Sequence, residues 1–149
     1  MRLALLLALL FLAAGALAAP APLPKPPKPD DAKADLKAMQ GTWARTTLLI
    51  DNRDSKPAGA LVTMTITDRR MVFSQSDTWT LTLDAKTNPK KIDAEAEVGG
   101  SAFFGVYKVE KDRLTICWLM SQKGKNERPG GFNPAQPKVW FQVYERVKP

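Results

Sequence analysis

The amino-acid sequence predicts an all-β domain: an eight-stranded antiparallel up-and-down barrel preceded by one short helix. Three observations point there. Eight segments with period-two alternation of apolar and polar residues follow one another, joined mostly by short reversals. Gly41-Thr42-Trp43 opens the first of these strands, and Arg146 stands in the last, where a closing sheet would bring the two together. Cys117 is the single cysteine, so no internal disulfide can form and packing must hold a domain of ~115 residues, a size that suffices to fold alone.

Residues 1–18 read as a signal peptide. Met1-Arg2 supplies a positive start, Leu3 to Leu12 an apolar stretch, and Ala16-Leu17-Ala18 a small-x-small cleavage site, which predicts a mature chain beginning at Ala19. The apolar stretch falls short of the ~20 residues of a spanning helix, so no transmembrane segment is expected after the leader is cleaved. Residues 19–34 form a Pro-rich linker. Between Pro20 and Pro29 the alternating prolines fix φ and remove donors, which favours extended polyproline II and a spacer role.

The barrel domain is assigned to residues 35–149. A helix is expected from Asp30 to Met39, with Asp30 or Asp31 as its cap and Leu36 and Met39 on one face. Gln40-Gly41 ends it, because Gly41 can adopt the left-handed conformation of a helix stop. Strands follow at 42–50, 61–67 and 71–73, separated by the turn-rich run 51–57 and a tight reversal at Asp68-Arg69-Arg70. In 61–67, Val62, Met64 and Ile66 share one face. Trp79, Leu81 and Leu83 then alternate with Thr78, Thr80 and Thr82, the cleanest half-buried pattern of the chain. After Asn88-Pro89 a strand is expected to carry Ile92, Ala94, Ala96 and Val98 opposite Asp93, Glu95 and Glu97. Gly99-Gly100 turns into a strand at 102–110, apolar on both faces near Phe103 and Phe104. Lys111-Asp112 makes a hairpin with 113–120, and a long loop from Ser121 to Pro137 leads to the closing strand 138–147. A meander that closes on itself leaves no exposed edge for another chain to pair with.

Chemistry is constrained by what is missing. The chain has no histidine, which removes Ser-His-Asp and Cys-His nucleophile systems and the commonest zinc ligand. Asp93, Glu95 and Glu97 are spaced by two, so they share the solvent face of one strand and do not oppose each other as glycosidase carboxylates must. They also lack the Asp-x-Asp-x-Asp-Gly spacing of a calcium loop. Cys117 lies in the apolar run Leu114 to Leu119 and reads as a small buried hydrophobe. Trp79, Trp118 and Trp140 with Phe73, Phe103 and Phe104 are embedded in alternating strands and read as core rather than as a stacking platform for nucleic acid. The formal charge is +7, and loss of Arg2 with the leader leaves 21 basic against 15 acidic residues, or +6, a mild excess that speaks to solubility before partners. Trp43 is large enough to plug one end of a narrow barrel, with the Arg146 guanidinium over its ring.

These residues carry a resemblance. Gly41-Thr42-Trp43 resembles the Gly-x-Trp of lipocalins, and Arg146 matches their final-strand arginine. More closely, the chain resembles a small exported lipocalin-like domain that recurs in planctomycete proteins and has no assigned biochemical activity. The matching stretches are Leu36 to Trp43, Asn88 to Asp93, Gly105 to Val109, Leu114 to Cys117, Glu127 to Pro129 with Phe132, and Tyr144 to Arg146. Gly130-Gly131 departs from the family pattern, where Thr or Ser and a polar residue are common. The resemblance implies a barrel and residence outside the cytoplasm (periplasmic, envelope-associated or secreted), and it supplies no catalytic residues.

The expected function is accordingly non-enzymatic: an exported, monomeric barrel with no cofactor or metal that binds a small apolar ligand at the end opposite Trp43, or a cell-envelope partner. The alternative is a purely structural or interaction module with a filled barrel and no ligand. A carboxylate-dependent hydrolase of envelope polysaccharide ranks below both. Gly41, Trp43 and Arg146 are the residues expected to close the barrel, a structural role rather than a catalytic one.

Overall fold

The computed structural model describes residues 31–55, 62–73, 77–119 and 127–148, and the leader and most of the Pro-rich linker lie outside these. One helix, α1 (Asp31–Met39), precedes nine strands: β1 (Gly41–Ile50), β2 (Arg53–Asp54), β3 (Thr63–Thr67), β4 (Arg70–Phe73), β5 (Thr78–Asp84), β6 (Lys90–Ala96), β7 (Ala102–Glu110), β8 (Arg113–Leu119) and β9 (Val139–Arg146). Every pairing is antiparallel, strands from β3 to β9 pair in sequence order, and β1 pairs with both β3 and β9. That last ladder closes an eight-stranded barrel, with the two-residue β2 as an appendage folded back on the end of β1. The all-β, lipocalin-like fold class expected from the sequence is therefore what the chain adopts. No helix among the described residues is long and apolar enough to cross a membrane.

Period-two alternation places one face of each strand inside. Met64 and Ile66, Trp79 and Leu81, Ile92 and Ala94, Leu114 and Ile116 are all buried in one cluster with Trp43 and Met39. In β1 the alternation alone would fail, since Trp43 and Arg45 share the inward face and the next inward residue in strict sequence would be Thr47. A bulge between Arg45 and Thr47 inserts Thr46 and resets the phase, so Leu48 opposes Gln142 and Ile50 opposes Trp140. Gly105 is needed for close approach: a Cβ there would stand 2.7 Å from the Cys117 carbonyl oxygen and 2.7 Å from the Trp118 ring. The indole of Trp118 thus occupies the space that Gly105 leaves.

A second, smaller cluster lies on the outside of the barrel. Val106, Cys117, Leu119 and Val139 point outward and are covered by Phe132 and Phe141. Phe104 also faces out, so the expected aromatic group divides: Phe103 turns into the barrel, while Phe104 lies beneath the Arg128 guanidinium at 5.2 Å. Arg128 makes a two-pronged ion pair with Asp93, Nη1 to Oδ1 and Nη2 to Oδ2 at 2.9 Å. This pair fastens the segment after residue 127 onto β6.

Several boundaries shift. The helix runs from Asp31 to Met39, within the Asp30 to Met39 span expected from the sequence. The strand expected to carry Val98 stops at Ala96, and Val98 is 88% exposed. The physical reason is the turn that follows: Ala96 N–H donates to Ser101 O at 2.9 Å, and Gly99 and Gly100 take φ of 90° and 67°, which swings Val98 off the sheet. Leu61 and Met120, expected at strand ends, fall outside the described residues.

Gly105→Ala should cost about 1–3 kcal/mol, since overpacking forces Trp118 or the β8 backbone to move. Gly130→Ala is the control, because its added methyl meets nothing within 4 Å. In urea unfolding its midpoint should match the parent protein, with only the Gly105 variant shifted.

Candidate functional site

The barrel has two unlike ends. At the base, β1 leaves α1 through Gly41, whose φ of 111° is a conformation that glycine tolerates and other residues rarely adopt. A side chain at that position would also press on Arg146, whose Nη1 lies 3.2 Å from where its Cβ would be. Trp43 is 0% exposed, and the Arg146 guanidinium sits over its ring at 4.1 Å. The three closure residues named from the sequence thus meet at one point, on rungs joined by the register Trp43↔Arg146.

Those residues also terminate the helix. A helix leaves its last carbonyls without internal partners, and here each of the last ones has a donor. The Gln40 side-chain amide donates to Leu36 O at 2.7 Å and its backbone N–H to Lys37 O at 3.3 Å. Arg146 donates to Ala38 O at 2.6 Å and to Gln40 O at 2.5 Å. The Trp43 indole N–H donates to Met39 O at 2.8 Å. A guanidinium at this terminus also suits the negative end of the helix dipole.

Two further clamps were not apparent in the sequence. Asp35 accepts from Lys90 Nζ at 2.7 Å and from the Tyr107 hydroxyl at 2.6 Å, tying α1 to β6 and β7. Gln40 Oε1 accepts from Asp68 N–H at 2.6 Å, and its amide nitrogen donates to Asp68 O at 3.1 Å, tying the same helix to the β3–β4 turn. Burial, and then the bond to Asp35, push the Tyr107 phenol well above its ordinary range. Asp35 has no basic residue three or four positions away on its helix, so the chain gives no local signal of these contacts.

The opposite end is aromatic. Trp79 and Phe103 have ring centroids 4.8 Å apart, and Phe103 lies 6.1 Å from Trp118 and 6.2 Å from Trp140. Trp79 is 7% exposed, and its indole N–H finds no acceptor among the described residues. A buried donor left unpaired costs about 1–3 kcal/mol. Trp79 also lines a hollow of about 240 Å³ with Thr78, Ala96 and Ser101, smaller than the ~300–1,000 Å³ that encloses a drug-sized ligand.

Between base and mouth lies a polar belt. Gln142 is buried, and the Tyr144 hydroxyl donates to its Oε1 at 2.8 Å. Arg45 opposes Tyr144 across the seam, in register on the inward face. Burial drives the Tyr144 phenol far above its ordinary range, and Arg45 only partly offsets this.

Other candidates are occupied structurally. Asp93 pairs with Arg128 and Glu97 with Arg70, the latter at 2.9 Å, on the outer wall. Cys117 is fully buried in the outer cluster, and burial pushes its thiol up to about 11. Among the described residues no group of three or more acidic, cysteine or histidine side chains is arranged to hold a metal ion. No family model, curated protein or solved structure matches the chain.

Trp43→Ala should destabilise the fold by about 3–5 kcal/mol, measured by chemical unfolding, because a large core truncation is compounded by an unpaired Met39 carbonyl. Stability should also depend on pH in the alkaline range. Cys117 is raised from 9.0 to about 11 in the folded chain, so its contribution is complete below pH 9 and is lost as pH rises toward 11. Tyr107 and Tyr144 are shifted in the same direction and add to the decline. Unfolding free energies taken at intervals from pH 8 to 11 should be level at first and then fall, and a level profile throughout would contradict the burial of these groups.

Proposed function

We propose that the chain is an exported, non-enzymatic, lipocalin-like module that holds a small apolar ligand at its aromatic mouth, and that it belongs to the small exported domain family it resembles. The observation that carries this is the Trp79 indole N–H, buried among aromatic rings at the open end and without an acceptor among the described residues. A ligand with a flat apolar body and one acceptor oxygen would cover the rings and satisfy that donor. Export is supported by the leader pattern of residues 1–18, and the family by the order of the matching fragments. A monomer with a periplasmic, envelope-associated or secreted address is the corresponding expectation.

One observation favours the second reading, a filled barrel that serves only as a structural or envelope-interaction module. Trp118 lies in the space above Gly105, which reduces the room inside. Hydrolase chemistry is disfavoured by the engagement of Asp93 and Glu97 with arginines on the outer wall.

Native mass spectrometry of protein purified from its exported form tests the two. A co-purifying small molecule is expected, and Trp79→Phe, which keeps a ring and removes the N–H, should lower its occupancy. A mass equal to the polypeptide alone would favour the filled module.

A further inference from the structure

The solvent side of the base is cationic. In an up-and-down meander the turns alternate between ends, so the 68–69, 85–89 and 111–112 turns and the end of β9 all come to the end that α1 covers. The contacts agree: Gln40 meets Asp68, Asp35 meets Lys90, and Arg146 donates to the Lys111 carbonyl at 3.3 Å. Lys33 and Lys37 on α1, Arg69, Lys86 and Lys111 in the turns, and Lys148 after β9 are all exposed there. None of them forms an ion pair among the described residues.

Most acids of the same end are matched by other cations. Asp35 is held by Lys90, Glu110 by Lys108 at 2.8 Å and Asp112 by Arg146, and Glu145 stands opposite Arg113 on the neighbouring strand. Asp31, Asp68 and Asp84 are the other acids of this end, fewer than the exposed cations. At the mouth the connecting segments nearly cancel: 51–62, 74–77, 97–101 and 120–138 carry Arg53, Lys56, Lys123, Lys125, Arg128 and Lys138 against Asp51, Asp54, Asp77, Glu97 and Glu127. The positive charge of the domain is therefore concentrated at its base, where neighbouring cations sum to a directional field. The Pro-rich segment that runs into α1 adds Lys25 and Lys28 just ahead of that helix in the chain.

We infer that the base, α1 with the ring of turns around it, is a docking face for an anionic phospholipid bilayer. A hollow of about 660 Å³ opens beside the helix, lined by Lys33, Leu36, Lys37, Gln40 and Asp68. Lys33 and Lys37 lie one helical turn apart on one face, so two ammonium groups flank an apolar side chain, the combination that a phosphodiester with its glycerol presents in mirror image. The other cations are spread around a ring of turns instead of converging on one point, which suits an extended anionic surface better than a single soluble anion. Val147, 43% exposed beside the seam, adds an apolar contact at the same end. Docked this way, the domain turns its aromatic mouth away from the bilayer. The docking face stands whether or not the mouth holds a ligand.

The test is co-sedimentation of the chain from Ala19 onward with vesicles of phosphatidylcholine alone, and of phosphatidylcholine with phosphatidylglycerol in equal parts. Binding to the second and not the first is expected. It should fall as salt rises from about 0.1 to 1 M, over which the screening length shrinks from roughly 10 to 3 Å. Lys33→Gln combined with Lys37→Gln should weaken it roughly 25-fold, since each cation near an anionic leaflet is worth about a factor of five. Both lysines are exposed and glutamine is a good helix former, so the urea midpoint of this variant should match the parent. Arg53→Gln combined with Lys138→Asn removes the same charge from the mouth end, and it should leave vesicle binding unchanged. Equal losses in the two double variants would make the attraction one of net charge and overturn the docking face. Absence of binding to either vesicle would overturn it as well. Capture by soluble polyphosphate with none by vesicles would assign the face to a polyanion in solution and overturn the bilayer.

Discussion

The stacking of the Arg146 guanidinium on the Trp43 indole is the contact on which the rest of the molecule depends. It joins the first full strand to the last, and it does so at the place where the helix ends. The guanidinium is in effect shared between the ring beneath it and two helix carbonyls, while the indole N–H takes a third. A cation over an aromatic face contributes modestly in water and more when desolvated. Here the larger effect is that the carbonyls of Ala38, Met39 and Gln40 are satisfied by groups belonging to the barrel seam, while those of Leu36 and Lys37 are taken by Gln40. Loss of the seam would therefore strip the helix end as well, and the helix is what covers the base.

This arrangement divides the molecule into a determined half and a receptive half. At the base, charges and amides are matched: Asp35 with Lys90 and Tyr107, Gln40 with Asp68, Arg146 with carbonyls and Asp112. At the mouth, large rings meet at 4.8 to 6.2 Å and a donor stands unmatched. Outside, a second apolar cluster beneath Phe132 and Phe141 consolidates β7, β8 and β9, and it buries the single thiol without placing it in the barrel interior.

Much of this was legible in the sequence, and the exceptions are instructive. Period-two alternation located the strands because one face of each is dry, and the pairing of Gly41-Thr42-Trp43 with Arg146 marked the seam because only a closed sheet would use it. Val98 was misplaced because alternation runs on past the point where Gly99 and Gly100 force a turn. The bulge at Thr46 was invisible, since a run of β-branched residues looks alike in either phase, and with it the inward direction of Arg45 was hidden. Asp35, Lys90 and Tyr107 could not be linked from the sequence, as their contact spans 55 and 72 positions and depends on how the helix lies across the base. Phe103 and Phe104 read as making their strand apolar on both faces, as adjacent strand residues part to opposite sides, but the Arg128 guanidinium that covers the outward ring could not be read from the sequence.

The ladder between β1 and β9 also has a kinetic meaning. Gln40 and Arg146 are 106 positions apart, and the Ala38 contact spans 108. Contacts of such separation form only after most of the chain's conformational freedom has been surrendered, which slows folding relative to domains built from local pairings. Until β9 arrives, β1 and β8 each carry an open row of amides and carbonyls, so the nascent polypeptide stays sticky until that strand is present. The stopper of the finished cylinder is thus also its timer.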